Sequence, residues 1–136
     1  MGFLAGHTFV NLTVKDLVKS TRFYERIGFR FLKQFTDDKA ACMIVNENTY
    51  ILLIVDHFSQ VYKSQTQNDS MKSYDVTVSL AADSREKVDD LVNLAMEAGA
   101  MPLPEPIDLG LSYFWGFKDL DGNLWEVAHI QENILH

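Results

Sequence analysis

Apolar and polar residues change rhythm several times along the chain, and each rhythm fits one kind of element. "HTFVNLTV" (7–14) alternates, with Val10, Leu12 and Val14 on one face and His7, Phe9, Asn11 and Thr13 on the other. That is the period of a half-buried strand. "KDLVKSTRFYERIGF" follows with helical spacing at Leu17, Thr21, Tyr24 and Ile27; Asp16 suits the N-cap and Gly28 the stop. Three strand-like runs come next, "GFRFLKQF", "AACMIVN" and "NTYILLIV", separated by the turn-like "TDDK" and "NEN". Residues 7–55 therefore read as a β-α-β-β-β module.

Residues 56–73 are polar and weak in strand signal. They read as a connector, with a short helical turn expected in "HFSQVYK". The first pattern then repeats over 74–130. "YDVTVSLAA" is a strand, and "DSREKVDDLVNLAMEAGA" is the clearest helix. Asp83 and Glu86 have capping-box spacing there, Val88, Leu91, Val92 and Ala95 form an apolar stripe, and Gly99 ends the run. "MPLPEPIDLGL" holds all three prolines, so its start is expected as an extended edge segment and its end as a loop. "SYFWGF" and "NLWEVAHI" are the last two strands, with "DLDGN" as the turn between them and Gly122 where positive φ is needed. A repeated β-α-β-β-β unit within one domain, residues 1–136, is the main architectural expectation.

Composition narrows the function classes. The chain has 136 residues, 47% apolar and 23% charged, with a net charge of −7. Such a composition suits a folded domain with a real core. The acidic balance argues against nucleic acid, whose phosphates need a Lys/Arg surface, and against acidic membranes. No apolar run reaches the ~20 residues of a membrane span. The start, "MGFLAGHTFVNL", lacks the basic stretch of a signal peptide, and Gly6 breaks the myristoylation pattern. The single cysteine, Cys42, sits in an apolar run and reads as a buried small hydrophobe. A cytoplasmic protein is expected.

Candidate chemistry centres on Glu126, the one carboxylate inside the apolar run "NLWEVAHI". It can be a hydrogen-bonding core group, a general acid/base or a metal ligand. The histidines form no i, i+4 pair or cluster. His129 falls on the face opposite Glu126, His57 is in the connector and His136 is at the end. Strand parity groups Phe9 with Asn11, Tyr50 with Leu52 and Thr77 with Ser79. Within "SYFWGF", alternation allows either Phe114 with Gly116 or Tyr113 with Trp115 to face in; Trp115 is carried as the candidate.

"FVNLTVKDLVKSTRFYERIGFRF", "FKDLDGNLWEV" and the supporting "VTVSLAADSREKVDDLVNLAMEAGA" together resemble the vicinal oxygen chelate superfamily, over nearly all of residues 7–130. That group includes glyoxalase I, extradiol dioxygenases, bleomycin-resistance proteins and fosfomycin-resistance enzymes. The resemblance implies an α+β fold in which two βαβββ modules form a half-open, curved β-sheet barrel with the helices outside. On that plan the faces of Phe9 and Asn11, of Tyr50 and Leu52, of Thr77 and Ser79, and of Glu126 turn inward, a small-molecule lining of aromatic, apolar and a few polar groups. The resemblance also implies four metal-ligand positions, on the first and last strands of each module. Here they read Phe9, Leu52, Thr77 and Glu126. Phe and Leu cannot bind a metal and a neutral Thr hydroxyl is a weak ligand, so no cofactor is expected. If a divalent metal were held, His7 and Glu126 would be its ligands, although His7 lies about 6.6 Å along the strand from the usual position.

The expected function is that of a bleomycin-resistance-like protein holding a small, partly aromatic or hydrophobic molecule without metal. One alternative is a metal-dependent lyase or dioxygenase of the glyoxalase type, using Glu126 and His7. Another is a metal-free enzyme with Glu126 as catalytic acid/base. Paired modules of this size also resemble homodimers, and exposed strand edges suit one.

Overall fold

The computed structural model describes residues 2–55 and 76–131. The connector, its expected helical turn, His57 and His136 lie outside them. The chain divides into two compact units, Met1–Ser73 and Tyr74–His136.

In the first unit the elements run β1 (Thr8–Val14), α1 (Leu17–Arg26), β2 (Arg30–Leu32), β3 (Ala40–Asn46) and β4 (Thr49–Val55). The sheet order is β1-β4-β3-β2, with β1 parallel to β4 and the other pairs antiparallel. A parallel β1–β4 pair needs a long crossover, which α1 and two strands supply. The alternation of β1 survives intact: Leu12 and Val14 are buried while Phe9 and Asn11 are exposed. Ile51, Leu53 and Val55 of β4 join the same core, with Met43 and Ala41 of β3.

Asp16 caps α1, its Oδ1 accepting the Lys19 N–H at 3.1 Å. The buried stripe is Ser20, Phe23, Tyr24 and Ile27, and it differs from the expected one. Leu17 and Thr21 are only half-buried because they lie on the flank of the helix. The expected long strand "GFRFLKQF" stops at Leu32. Lys33–Phe35 form one turn of 3-10 helix, and the following Thr36 hydroxyl accepts the Cys42 N–H at 3.3 Å. Cys42 is buried as expected, 2% exposed, and burial pushes its thiol pKa up.

The second unit repeats the plan with β5 (Thr77–Ala81), α2 (Arg85–Glu97), β6 (Met101–Pro102), β7 (Ile107–Asp108), β8 (Ser112–Lys118) and β9 (Leu124–Ile130). Its order is β5-β9-β8-β6, with β7 also paired to β8. The proline-rich stretch thus gives two short strand pieces in place of one edge strand. The cap of α2 is Ser84, whose Oγ accepts the Lys87 N–H at 3.1 Å. The expected cap, Asp83, instead pairs with the Lys87 ammonium at 3.1 Å. Both residues carry a short acceptor side chain, and the helix begins one residue later than expected.

Val88, Val92 and Ala95 of α2 pack on the face of the sheet that carries Trp125, Val127 and Phe117. Phe117 and Trp125 stack with ring centroids 6.0 Å apart. Each module is therefore one helix on one open sheet, an α+β architecture whose sheets do not close into barrels.

The turn between β8 and β9 explains the motif "DLDGN". Asp119 is buried, and its Oδ1 accepts the N–H groups of Asp121 at 2.9 Å and Asn123 at 2.8 Å. Its Oδ2 accepts the Asn123 side-chain N–H at 2.9 Å. Gly122, at φ 86°, occupies the left-handed position that the turn requires. Asp119 is thus architectural: it fixes where β9 begins.

Candidate functional site

Each sheet has one face against its helix and one turned from it, the open face of its own module, and the candidate residues divide between the two. In the first sheet, cross-strand register places Phe9 beside Tyr50 and Asn11 beside Leu52. The Phe9 and Tyr50 rings stack, centroids 5.4 Å apart and 21° between planes. His7 meets Tyr50 edge-on at 5.8 Å and is otherwise exposed, as a packing histidine would be. Phe9 remains 57% exposed, a large apolar ring offered to whatever occupies this face. The Asn11 side-chain amide makes no hydrogen bond among the described residues. Cys42 pairs with Leu52 and belongs to the same row, but it is fully covered.

In the second sheet, Ser79 and Gly116 flank Glu126 on either side, through β5 and β8. The Ser79 hydroxyl donates to Glu126 Oε1 at 3.2 Å. Ser79 is the carboxylate's described partner because it stands directly opposite. Thr77 lies one row away, beside Leu124. Glu126 is half-buried.

Trp115 requires a correction. It pairs with Val127, so its side chain leaves from the helix-facing side, opposite Glu126. There its indole N–H donates to the Leu103 carbonyl at 3.0 Å. The residues of β8 that share the Glu126 face are Ser112, Phe114, Gly116 and Lys118. Alternation could not choose because both faces of "SYFWGF" are apolar; the pairing of Gly116 with Glu126 decides it. His129 does fall on the helix-facing side, its Nδ1 3.1 Å from the Ala82 carbonyl oxygen.

Register also identifies apolar residues that the sequence did not single out. Ile107 of β7 pairs with Phe114, and Met101 of β6 pairs with Lys118, so both join the Glu126 face. The Leu103 N–H donates to the Gly116 carbonyl at 2.9 Å, which continues the ladder beside Glu126. A proline-rich run gives no period from which these neighbours could be read.

On the helix side, Arg85 of α2 fastens the 107–111 segment. Its guanidinium donates to both Asp108 carboxylate oxygens, at 2.6 and 3.0 Å, and to the Gly110 carbonyl at 2.9 Å. These Arg85 bonds, and then the Gly110 N–H, hold the Asp108 pKa below its ordinary value. Tyr113 lies under the guanidinium and donates to Asp89 at 2.7 Å, a bond that raises the phenol pKa.

The four ligand positions of the resemblance do not fit a divalent metal. Phe9 and Leu52 offer only hydrocarbon on the open face of the first sheet. Thr77 and Glu126 offer a neutral hydroxyl and one carboxylate on that of the second. No group of three or more His, Cys, Asp or Glu side chains suited to a metal occurs among the described residues. No helix among them is long and apolar enough to cross a membrane.

Comparison with known proteins agrees with this architecture. The chain is 32% identical to hypothetical protein SA1046 from S. aureus, with a TM-score of 0.74 over 94% of this chain and 95% of that one. A glyoxalase/bleomycin resistance protein/dioxygenase family enzyme from Burkholderia phytofirmans PsJN has a TM-score of 0.75 at 20% identity, covering 90% of this chain and 96% of that one. Lactoylglutathione lyase from Agrobacterium tumefaciens shares the fold at 18% identity and a TM-score of 0.66, covering 90% and 91% of the two chains. No curated protein sequence matches. The profile of the Glyoxalase/Bleomycin resistance protein/Dioxygenase superfamily matches residues 5–127, which span both modules and all the strands that carry the candidate residues up to Glu126. With the repeated strand order and the Asp119 turn in place, the chain belongs to that superfamily.

Proposed function

We propose that this protein binds a small, partly aromatic or hydrophobic molecule on its open sheet faces, without a metal ion. The observation that carries this reading is the Phe9–Tyr50 stack, exposed beside Leu52 where metal-using relatives need donor atoms. A half-exposed aromatic pair is stacking surface for a flat ligand, and water covers it poorly when the ligand is away. Glu126 adds one polar anchor in the second module. A glyoxalase-type metal reaction would need ligands that neither Phe9 nor Leu52 supplies.

The test is a thermal-shift screen of purified protein against small aromatic compounds, with metal analysis of unchelated protein alongside. The reading expects several compounds to raise Tm and metal to be sub-stoichiometric. A screen in which no compound raises Tm, or one tightly held metal ion per chain, overturns it. A second reading, a metal-free enzyme with Glu126 as acid/base, draws on the carboxylate having Ser79 as its single described hydrogen-bond partner. It expects turnover that Glu126→Gln abolishes while binding persists.

The same reading takes the working form as a cytoplasmic homodimer. Met101, Leu109 and Leu111 are large exposed apolar side chains that a second copy would cover. Sedimentation of a monomer at micromolar concentration would refute the dimer.

A further inference from the structure

The surroundings of Glu126 say more about ligand chemistry than its identity does. In a crowded sheet a glutamate is hemmed in by the side chains opposite it. Here the two cross-strand neighbours are Ser79 and Gly116, and the next row on the same face carries Ala81 and Ala128. The carboxylate therefore rises from a floor of small residues, of which Gly116 and Ala128 are buried, with Leu124 in the row on its other side. Gly116 keeps that floor small. A Cβ there would run into the Trp125 carbonyl oxygen and the Glu126 Cα, so no side chain can be placed beside the carboxylate without moving the strand.

On one side of this floor the face is apolar: Phe114 with its partner Ile107, then Leu103, whose Cδ1 lies 3.2 Å from where that Cβ would be. On the other side stand the hydroxyls of Ser79 and Thr77. A carboxylate has acceptor sites for about four hydrogen bonds. Among the described residues only Ser79 fills one, on Oε1.

We propose that the open face of the second sheet takes a small molecule in which a flat apolar group carries an ammonium or amidinium. The cation docks on Oε2 of Glu126, and the flat group lies against Phe114 and its exposed partner Ile107. This rests on the binding reading above and gives it a charge.

Three features select such a ligand. A carboxylate with an open oxygen gains most from an ionised donor, because a charge-assisted bond is about twice as strong as a neutral one. Phe114 and Ile107, on the same face, give the flat group an apolar wall one row from the carboxylate. The net charge of −7 favours arrival of a cation over an anion. Lys118 lies on the same face, one row from Gly116, and is exposed. It forms no ion pair with Glu126 among the described residues.

The experiment is a titration of the full chain, followed by backbone amide shifts, with benzamidine and with its neutral isostere benzamide at one ionic strength. The expected result is that benzamidine binds about tenfold tighter or more, the scale of one hydrogen bond to a charged group. Its shifts should cluster at 77–81, 114–116 and 124–130. In Glu126→Gln the ratio of the two affinities should collapse toward one. Equal affinities in the wild-type protein, a ratio that survives Glu126→Gln, or shifts confined to other residues overturn the proposal. The wild-type ratio and shift map decide the matter even if the variant folds poorly. Benzamide binding on this face with no cation preference sinks the charge and leaves the binding reading standing; neither probe binding, in a protein that also fails the aromatic screen, sinks both.

Discussion

Phe9 pairs with Tyr50, and two residues on Asn11 pairs with Leu52; in the second sheet the same positions hold Thr77 with Leu124 and Ser79 with Glu126. The backbone plan is one plan used twice, but the open faces have gone opposite ways. The first has become an aromatic and aliphatic surface, with its one thiol covered. The second has kept a carboxylate and cleared the space around it. The helix-facing sides differ too. In the first module the helix brings the bulk, as Phe23 and Tyr24, to a sheet of aliphatic residues. In the second the sheet brings it, as Trp125 and Phe117, to a helix that buries Val88, Val92 and Ala95. Large against small interdigitates in either direction, so a shared fold needs only the sum of volumes to be kept. The open faces are under no such packing rule, and that is where chemistry is free to diverge.

The sharpest break in the comparison is between a helix-facing and an open-facing aromatic. Trp125→Ala removes a fully buried ring stacked on Phe117 and should cost about 3–5 kcal/mol of stability by denaturant unfolding. Next is the turn that presents the second face. Asp119→Ala leaves the N–H groups of Asp121 and Asn123 without their carboxylate, and should cost about 2 kcal/mol by the same measurement. Phe9→Ala, on the open face of the first sheet, should change stability by less than about 0.5 kcal/mol while weakening any aromatic ligand found in the screen. A Phe9 variant that unfolds the module would mean that this face is core and not surface.

The smallest effect is a pH dependence of the second module. Asp108 has a lowered pKa, so its contribution is present above the ordinary carboxylate range, about 3.9, and is lost as pH falls through the lower folded value. Tyr113 has a raised pKa, so its contribution is full below the ordinary phenol value, about 10, and is lost as pH rises through the folded one. The stability difference between wild type and Arg85→Met should therefore shrink in acid. Above pH of about 10 the wild type should lose stability relative to Tyr113→Phe. Parallel slopes for wild type and variant at either end would remove that link.

Much of this was legible before any coordinates. The β1 parity followed from Val10, Leu12 and Val14, because one face of that strand is buried and the other is not. The turn at Asp119–Asn123 announced itself through Gly122. Legibility failed where both faces of a strand are apolar, at 112–117, so that only cross-strand pairing separates Trp115 from Phe114. It failed again at Asp83–Ser84, where two neighbouring acceptors compete to start one helix. The apolar wall of Ile107 and Leu103 was hidden in a proline-rich stretch that has no period. Alternation alone pairs Phe9 with Asn11, Tyr50 with Leu52 and Thr77 with Ser79; which of these faces belong to a site is an implication of the family resemblance.

The pinned turn at Asp119 carries a lesson for anyone building chimeras from relatives of this chain. Slipping the last strand by a single position would exchange Trp125 or Val127 for Glu126, driving a charge under the helix and an indole into water. Transplanting the strand without the five residues ahead of it invites that error; moving 119–130 as one cassette carries its own frame of reading.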